Sequence, residues 1–291
     1  MTIADRQGLR GAFGPRAVPV GVLLIAPAVL YLAVFYLLPL LDIVRRSLVV
    51  DGELSADNYI DFFTTPAYVT ILLRTIGMAV GATVLCVLIA YPYAYLMTIV
   101  SNRTRAVLLG VVLVPFWTSM LARTYAWLVL LQDSGPIKSG LALLGVDVPL
   151  LRTPAGVLIG MVQILLPFMV LPLYNTLASI DRRLLAAARV LGANPLSAFA
   201  KVYFPLSLPG VLSGGVIVYV LSLGFYVTPA VLGSPQTSLI SQLIVQELSQ
   251  RLAWGSAGAM SVILIVLTLV FLALASRWLN IRALFSREVI R

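Results

Sequence analysis

The sequence predicts an all-α membrane protein built on six transmembrane helices. Three observations carry that expectation. Of the 291 residues, 60% are hydrophobic. Only 11% are charged, where a soluble domain has roughly a quarter. The apolar residues gather into six runs, each long enough to cross a hydrocarbon core that takes about 20 helical residues.

Residues 1–17 are polar and basic, with Arg6, Arg10 and Arg16, and are expected as a tail. A signal peptide begins similarly. The apolar run that follows, 18–41, is however long enough to span and ends in no small-residue cleavage site, so it is expected as the first transmembrane helix. Residues 51–66 are polar and acidic and read as a loop. The second span is placed at 68–99, a short basic turn at 101–105, and the third span at 106–131. A loop marked by Ser134-Gly135-Pro136, Gly140 and Pro149 leads to the fourth span, 154–177. A distinctive segment, 180–208, separates it from the fifth, 209–232. The stretch 233–254 is polar but contains a helical-looking S-L-I-S-Q-L-I-V-Q-E-L. The sixth span, 257–279, runs into a basic tail. The chain thus divides into a tail (1–17), one membrane domain (18–280) and a second tail (281–291).

Six spans place both termini on one side of the membrane, and the charges say which. With the N-terminus inside, the cytoplasmic segments hold Arg6, Arg10, Arg16, Arg103, Arg105, Arg182, Arg183, Arg189, Lys201, Arg277, Arg282, Arg287 and Arg291, 13 of the 20 Lys and Arg. Only Asp5, Asp181 and Glu288 of the 11 acidic residues join them. This asymmetry satisfies the positive-inside rule. It also explains the net charge of +9 better than nucleic-acid binding, since the basic residues are few and scattered among apolar runs. The lone Cys86 allows no internal disulfide, and the absence of histidine excludes histidine-based catalysis and metal ligation. No G-x-x-x-x-G-K-[ST] phosphate loop occurs, so any ATP is bound by another chain.

The segment I-D-R-R-L-L-A-A-A-R-V-L-G-A-N-P-L-S-A-F-A-K-V-Y-F-P-L-S-L-P-G, from Ile180 to Gly210, reads as two short helices around a corner. Asp181 caps the first, and Leu184, Leu185, Ala187, Ala188 and Leu191 recur at helical spacing. Gly192 stands where a left-handed C-cap residue is wanted, and Asn194-Pro195 restarts the chain as N-cap and first helical residue. Phe199, Val202 and Tyr203 form the second apolar stripe. Pro205 and Pro209 are expected to close it before the fifth span.

The pattern Ala187-Ala188, Gly192, then Phe199, Val202 and Pro205 resembles the "EAA" cytoplasmic loop of ABC-importer permeases. Ala186 stands in place of that family's glutamate. The resemblance implies a type I importer permease fold and a coupling helix, with Ala187, Ala188, Arg189, Gly192, Ala193 and Phe199 docking in a groove of an ATPase subunit. A second resemblance covers roughly 105–232. P-F-W-T-S-M-L-A-R-T-Y-A-W-L-V-L-L (115–131), Y-N-T-L-A-S-I-D (174–181) and V-T-P-A-V-L-G (227–233) are similar to the polyamine/opine/phosphonate branch of these permeases, and within it to the B-type spermidine/putrescine group. It implies a bacterial inner-membrane subunit that is not itself catalytic. Its partners would be two ATPases that bind ATP and Mg, a second and non-identical permease, and an extracytoplasmic binding protein. The implied solute is a polyamine, with opines, phosphonates and amino-acid-like solutes as alternatives.

The residues themselves offer a candidate pathway. Trp117, Tyr125, Trp127, Tyr174, Phe225 and Tyr226 cluster in spans three to five, with Tyr219 nearby. Such aromatics serve as an interfacial belt and core packing, or as ring faces that handle cations. Arg123 lies near mid-span, where a charge is costly and faces protein or water; Arg74 lies nearer an interface. Pro92, Pro115, Pro167 and Pro172 fall within the spans and serve either packing kinks or function. Gly214-Gly215, Gly224 and Pro229 make the fifth span the most easily bent. Three small-residue pairs, Gly77/Gly81, Gly156/Gly160 and Gly210/Gly214, read as helix packing inside the domain. An ion-coupled secondary transporter would want intramembrane acids, and all 11 Asp and Glu lie in loops or near span ends. An intramembrane enzyme would need a constellation that is not there.

Overall fold

The computed structural model describes the backbone of residues 17–50 and 52–288 and the side chains of 25–50 and 52–277. The expected tail up to residue 16, Asp51 of the acidic loop and residues 289–291 lie outside it. Helix α1 (Ala17–Leu32) passes through a π turn (Ala33–Leu37) into α2 (Leu38–Ser47). Its large apolar side chains stand open: Leu30 is 66% exposed and Phe35 68%. Residues 51–66, expected as a plain loop, hold more structure. A short antiparallel pair, Val49–Val50 with Glu53–Leu54, precedes α3 (Asp57–Thr64). The Tyr59 hydroxyl bonds Ser47 Oγ at 2.7 Å and tethers α3 to the end of α2.

The centre of the molecule is formed by α4 (Pro66–Ile99), α8 (Pro154–Ser179) and α11 (Phe204–Leu223), packed on one another. On α4 the residues Ala79, Ala82, Cys86, Ala90 and Ala94, three or four apart, are all fully buried. That small-residue seam lets two helices lie close against α4, the arrangement that packing in lipid favours. Gly210 and Gly214 do the same for α11 on α8. A Cβ on Gly210 would fall 2.6 Å from the Thr176 side chain, and one on Gly214 2.7 Å from Met169 Sδ. The helix α8 stays helical through Pro167 and Pro172, and the Thr176 hydroxyl donates to the Pro172 carbonyl at 3.1 Å.

Two expected spans are broken. The third divides into α5 (Asn102–Leu113), a 3₁₀ turn (Val114–Trp117) and α6 (Met120–Leu131), and the expected loop after it holds a further helix, α7 (Pro136–Leu143), that extends the second arm. Its two arms meet at 102°. Pro115 tightens the chain into the 3₁₀ turn, and Thr118 is extended. The fifth ends at Leu223, and α12 (Val227–Leu232) follows after Gly224. The Phe225 carbonyl freed by that break accepts from Ser241 Oγ at 2.7 Å. Among the described residues, five apolar helices are long enough to cross a bilayer, Pro195–Leu223 among them, and the bent pair makes up to six.

The loop helices are α9 (Arg183–Val190) and α10 (Pro195–Ala198). Pro205 and Pro209 do not close the second one. It runs through a π turn (Phe199–Tyr203) straight into α11. Pro205 directly follows the π turn inside this continuous helix, where the hydrogen-bond ladder is already interrupted. After α12, the short helix α13 (Ile240–Ser249) is pinned to α4: the Ile240 N–H donates to Thr75 Oγ1 at 3.0 Å and Arg74 Nη1 to the Ser238 carbonyl at 3.2 Å. The last helix, α14 (Trp254–Glu288), continues past the expected span end at 279. It lies close on α2 through Gly258, whose Cβ would stand 3.1 Å from the Ile43 carbonyl.

Candidate functional site: a capped loop and a cavity between broken helices

The corner of the loop is a Schellman cap. The Ala193 N–H donates to the Ala188 carbonyl at 3.0 Å, and the Gly192 N–H to the Arg189 carbonyl at 3.0 Å. Gly192 takes φ +88°, the conformation such a cap requires. Ala188, Arg189, Gly192 and Ala193 therefore form one device that turns the chain. Downstream, Asn194 Oδ1 accepts the Ser197 N–H at 2.7 Å and Pro195 occupies the first turn of α10. Upstream, the N-cap of α9 is Arg182 and not the expected Asp181, whose Oδ1 accepts the Arg183 N–H at 2.9 Å one residue earlier.

This construction leaves apolar side chains facing outward. Leu191 is 88% exposed, Val190 87% and Leu196 76%. Ala187 is exposed as well. The opposite side of the loop is fastened down by aromatics. Phe199 stacks on Tyr203 at 5.8 Å and meets Tyr91 of α4 edge-on at 6.0 Å, while Tyr95 meets Tyr203 edge-on at 5.4 Å. The Tyr91 hydroxyl bonds Ser207 Oγ of α11 at 3.0 Å. Arg182 donates to the Thr98 carbonyl. Ring contacts thus join the loop to α4, and continuous helix joins it to α11.

A cavity of about 270 Å³ lies between the breaks in the third and fifth spans. Its walls are Phe116, Met120, Arg123, Ile164, Leu165, Phe168, Leu221 and Phe225. The structure thus brings Arg123 and Phe225 together and scatters the other pathway candidates. Trp117 is 90% exposed, Tyr125 56% and Tyr226 40%. Trp127 packs on the core and points its N–H at Gln163 Oε1, 3.4 Å away. Tyr174 lies at the loop end of α8, its ring 5.9 Å from the Arg105 guanidinium. Among the walls, Phe116, Met120, Ile164, Leu165, Phe168 and Leu221 were not singled out from the sequence. Hydropathy marks them only as membrane residues, and the breaks in the third and fifth spans leave Phe116, Met120 and Leu221 beside Ile164, Leu165 and Phe168 of the unbroken α8. The aromatic fastening by Tyr91, Tyr95 and Tyr203 was likewise missed, since two of these lie over 100 residues from the third.

The family model described as binding-protein-dependent transport system inner membrane component matches residues 12–283. The spermidine/putrescine transport system permease protein PotB of Escherichia coli K12 is 35% identical over 263 residues, covering 86% of this chain and 95% of that protein. The inner membrane permease YdcU of the same organism is 32% identical over 247 residues, 78% of this chain and 77% of that one. Among solved structures, a chain of a bacterial alginate ABC transporter, crystallised with a periplasmic protein carrying an alginate pentasaccharide, superposes with a TM-score of 0.72 at 16% identity, over 89% of this chain and 93% of that one. A methionine ABC transporter superposes with a TM-score of 0.51 at 17% identity, over 75% of this chain and 99% of that one.

Proposed function

This chain belongs to the family of binding-protein-dependent transport system inner membrane components, and on that premise we propose that it forms half of the pathway by which a polyamine enters the cell. The family assignment makes it a multi-pass inner-membrane permease subunit of an ABC importer, not itself catalytic, that works with an ATPase and a substrate-binding protein. It also sets aside the ion-coupled transporter. The observation that carries the polyamine reading is the 35% identity to a spermidine/putrescine permease over most of both chains.

In this reading two ATPase subunits bind ATP and Mg and grip the outward face of α9 and α10, where Ala187, Val190, Leu191 and Leu196 stand open. The mode is a helix laid in a groove. A second, non-identical permease completes the pathway. Both termini and the 180–208 loop face the cytoplasm in this reading, which the charge asymmetry supports. ATPase closure moves α9 and α10, and the motion passes along α11, roughly 30 Å for its 20 residues, to the break at Gly224 beside the cavity. Phe116, Phe168 and Phe225 line the cavity, where an aromatic face contributes about 0.5–2 kcal/mol to an ammonium, set against the like charge of Arg123 in the same wall. Contacts of that size hold a solute and still release it. Trp117, Tyr125 and Tyr226, exposed on this chain, line the remainder of the route against the second permease.

The test is uptake of labelled spermidine and putrescine by proteoliposomes holding all subunits. ATP-dependent uptake, competed by unlabelled polyamine, is expected. Carriage of an opine or phosphonate, with polyamines neither carried nor competing, would refute the solute assignment and leave the importer class standing.

A further inference from the structure

The first and last apolar helices meet at one edge of the molecule. The first candidate span is Ile25–Ser47, and the last begins at Trp254. Close packing sets their relative level: a Cβ on Gly255 would stand 3.4 Å from the Arg46 carbonyl, and one on Gly258 3.1 Å from the Ile43 carbonyl. Arg45 and Arg46 occupy the last turn of α2, and Trp254 the start of α14. The Arg46 guanidinium carbon lies 5.4 Å from the centre of the Trp254 ring. Asp42, one turn earlier, clamps both arginines. Its Oδ2 accepts from Arg46 Nε at 2.6 Å and its Oδ1 from Arg45 Nη2 at 3.0 Å. The clamp orients the guanidiniums without covering them, since the Arg45 side chain stays 72% exposed and that of Arg46 46%. A pocket of about 300 Å³ opens here, lined by Arg45, Arg46, Val49, Trp254 and Gly255.

We infer that this pocket holds the phosphodiester headgroup of an anionic membrane lipid. The level points to it first. Trp and Arg at the ends of apolar spans settle at the membrane–water interface, the depth at which lipid phosphates lie. The charge points the same way. Two arginines at a helix end would be accounted for by the helix dipole alone. Here, however, they share a pocket whose lining, among the described residues, contains no carboxylate. With the Asp42 carboxylate set against the two guanidiniums, the cluster keeps a net charge of +1. Glu53 pairs across the short ribbon with Val50 and not with the lining residue Val49, so it belongs to the ribbon's other face. A planar guanidinium meets phosphate oxygens with paired N–H donors. Trp254, 54% exposed, offers an apolar ring to the glycerol and first acyl carbons. A headgroup that also carries an ammonium brings a charge of the wrong sign, so phosphatidylglycerol fits better than phosphatidylcholine. The inference holds whichever solute is carried, because neither the cavity nor the 180–208 loop takes part in it.

The test is lipid binding to the purified importer complex in detergent, counted by native mass spectrometry while phosphatidylglycerol is titrated in. Arg45→Gln and Arg46→Gln are made singly and together. Exposed ion pairs contribute little to folding, so assembly of the complex is expected to be unchanged. Each single change is expected to weaken the binding of one phosphatidylglycerol about fivefold, the equivalent of about 1 kcal/mol for an arginine near a membrane surface. The double change is expected to remove one bound lipid per complex. Equal lipid counts and equal affinities in the parent and the double variant overturn the inference. Phosphatidylcholine binding as tightly as phosphatidylglycerol at the position the variants lose overturns it too. Inorganic phosphate is titrated alongside: filling of the site by phosphate alone, with no gain from the lipid, assigns it to a free ion and contradicts the lipid assignment. A double variant that keeps its lipid but no longer holds the substrate-binding protein gives this face to that protein, and the inference fails.

Discussion

Gly192 is the residue on which the loop's geometry turns. A Cβ there would meet nothing within 4 Å, so the only obstacle to a side chain is the backbone at φ +88°. Gly192→Val is expected to cost about 1–3 kcal/mol of local strain. The cap would open, the exposed Leu191 would be re-aimed, and uptake should fall at least tenfold by order of magnitude, while the amount of protein in the membrane is unchanged. Parental uptake at equal expression would contradict this. The cap was legible in the sequence because Gly, Asn-Pro and a short apolar period are local signals with one geometric solution. Arg123 was legible as an anomaly by its depth alone. What the sequence could not indicate is which aromatics would share its cavity. Trp117 and Phe116 are neighbours in the chain, yet only Phe116 lines the space, because the 3₁₀ turn at Val114–Trp117 sends them in different directions.

At the scale of elements, the three G-x-x-x-G pairs look alike in sequence and differ in the structure. Gly210 and Gly214 bring α11 onto α8, whereas Gly77 has nothing within 4 Å. Gly214→Leu is therefore expected to destabilise the protein by about 1–3 kcal/mol through overpacking against Met169, and Gly77→Ala to leave it within about 0.5 kcal/mol of the parent. Melting of the detergent-solubilised protein checks both; equal behaviour would show that small-residue spacing, not contact, sets the packing. The broken spans mark where hydropathy stops being informative. The residues on both sides of Pro115 are apolar, so a sliding average sees one span where the chain turns by 102°. Proline alone did not decide it either. Pro167 and Pro172 stay inside an unbroken α8, which is buried along much of its length and is held by neighbours on both sides.

For the whole molecule, the membrane class and the order of spans follow from hydropathy, and the family resemblance follows from the Ala187-Ala188, Gly192 and Phe199 pattern of the loop. The assembly does not follow in the same way, because the surfaces that face other subunits are apolar like those that face lipid. Orientation is open to a direct check. In a Cys86→Ala background, a cysteine at Leu54, which is 85% exposed, should react with an impermeant thiol reagent from outside intact cells. Labelling only after lysis would invert the topology. The central claim is that the exposed face of the 180–208 loop grips the ATPase. A single cysteine at Leu191, 88% exposed at the corner, tests it through disulfide or bifunctional cross-linking within the assembled complex. The account predicts a permease–ATPase adduct from Leu191→Cys whose yield changes when ATP is added. No adduct from this position, together with one from a cysteine at Leu54, would contradict it.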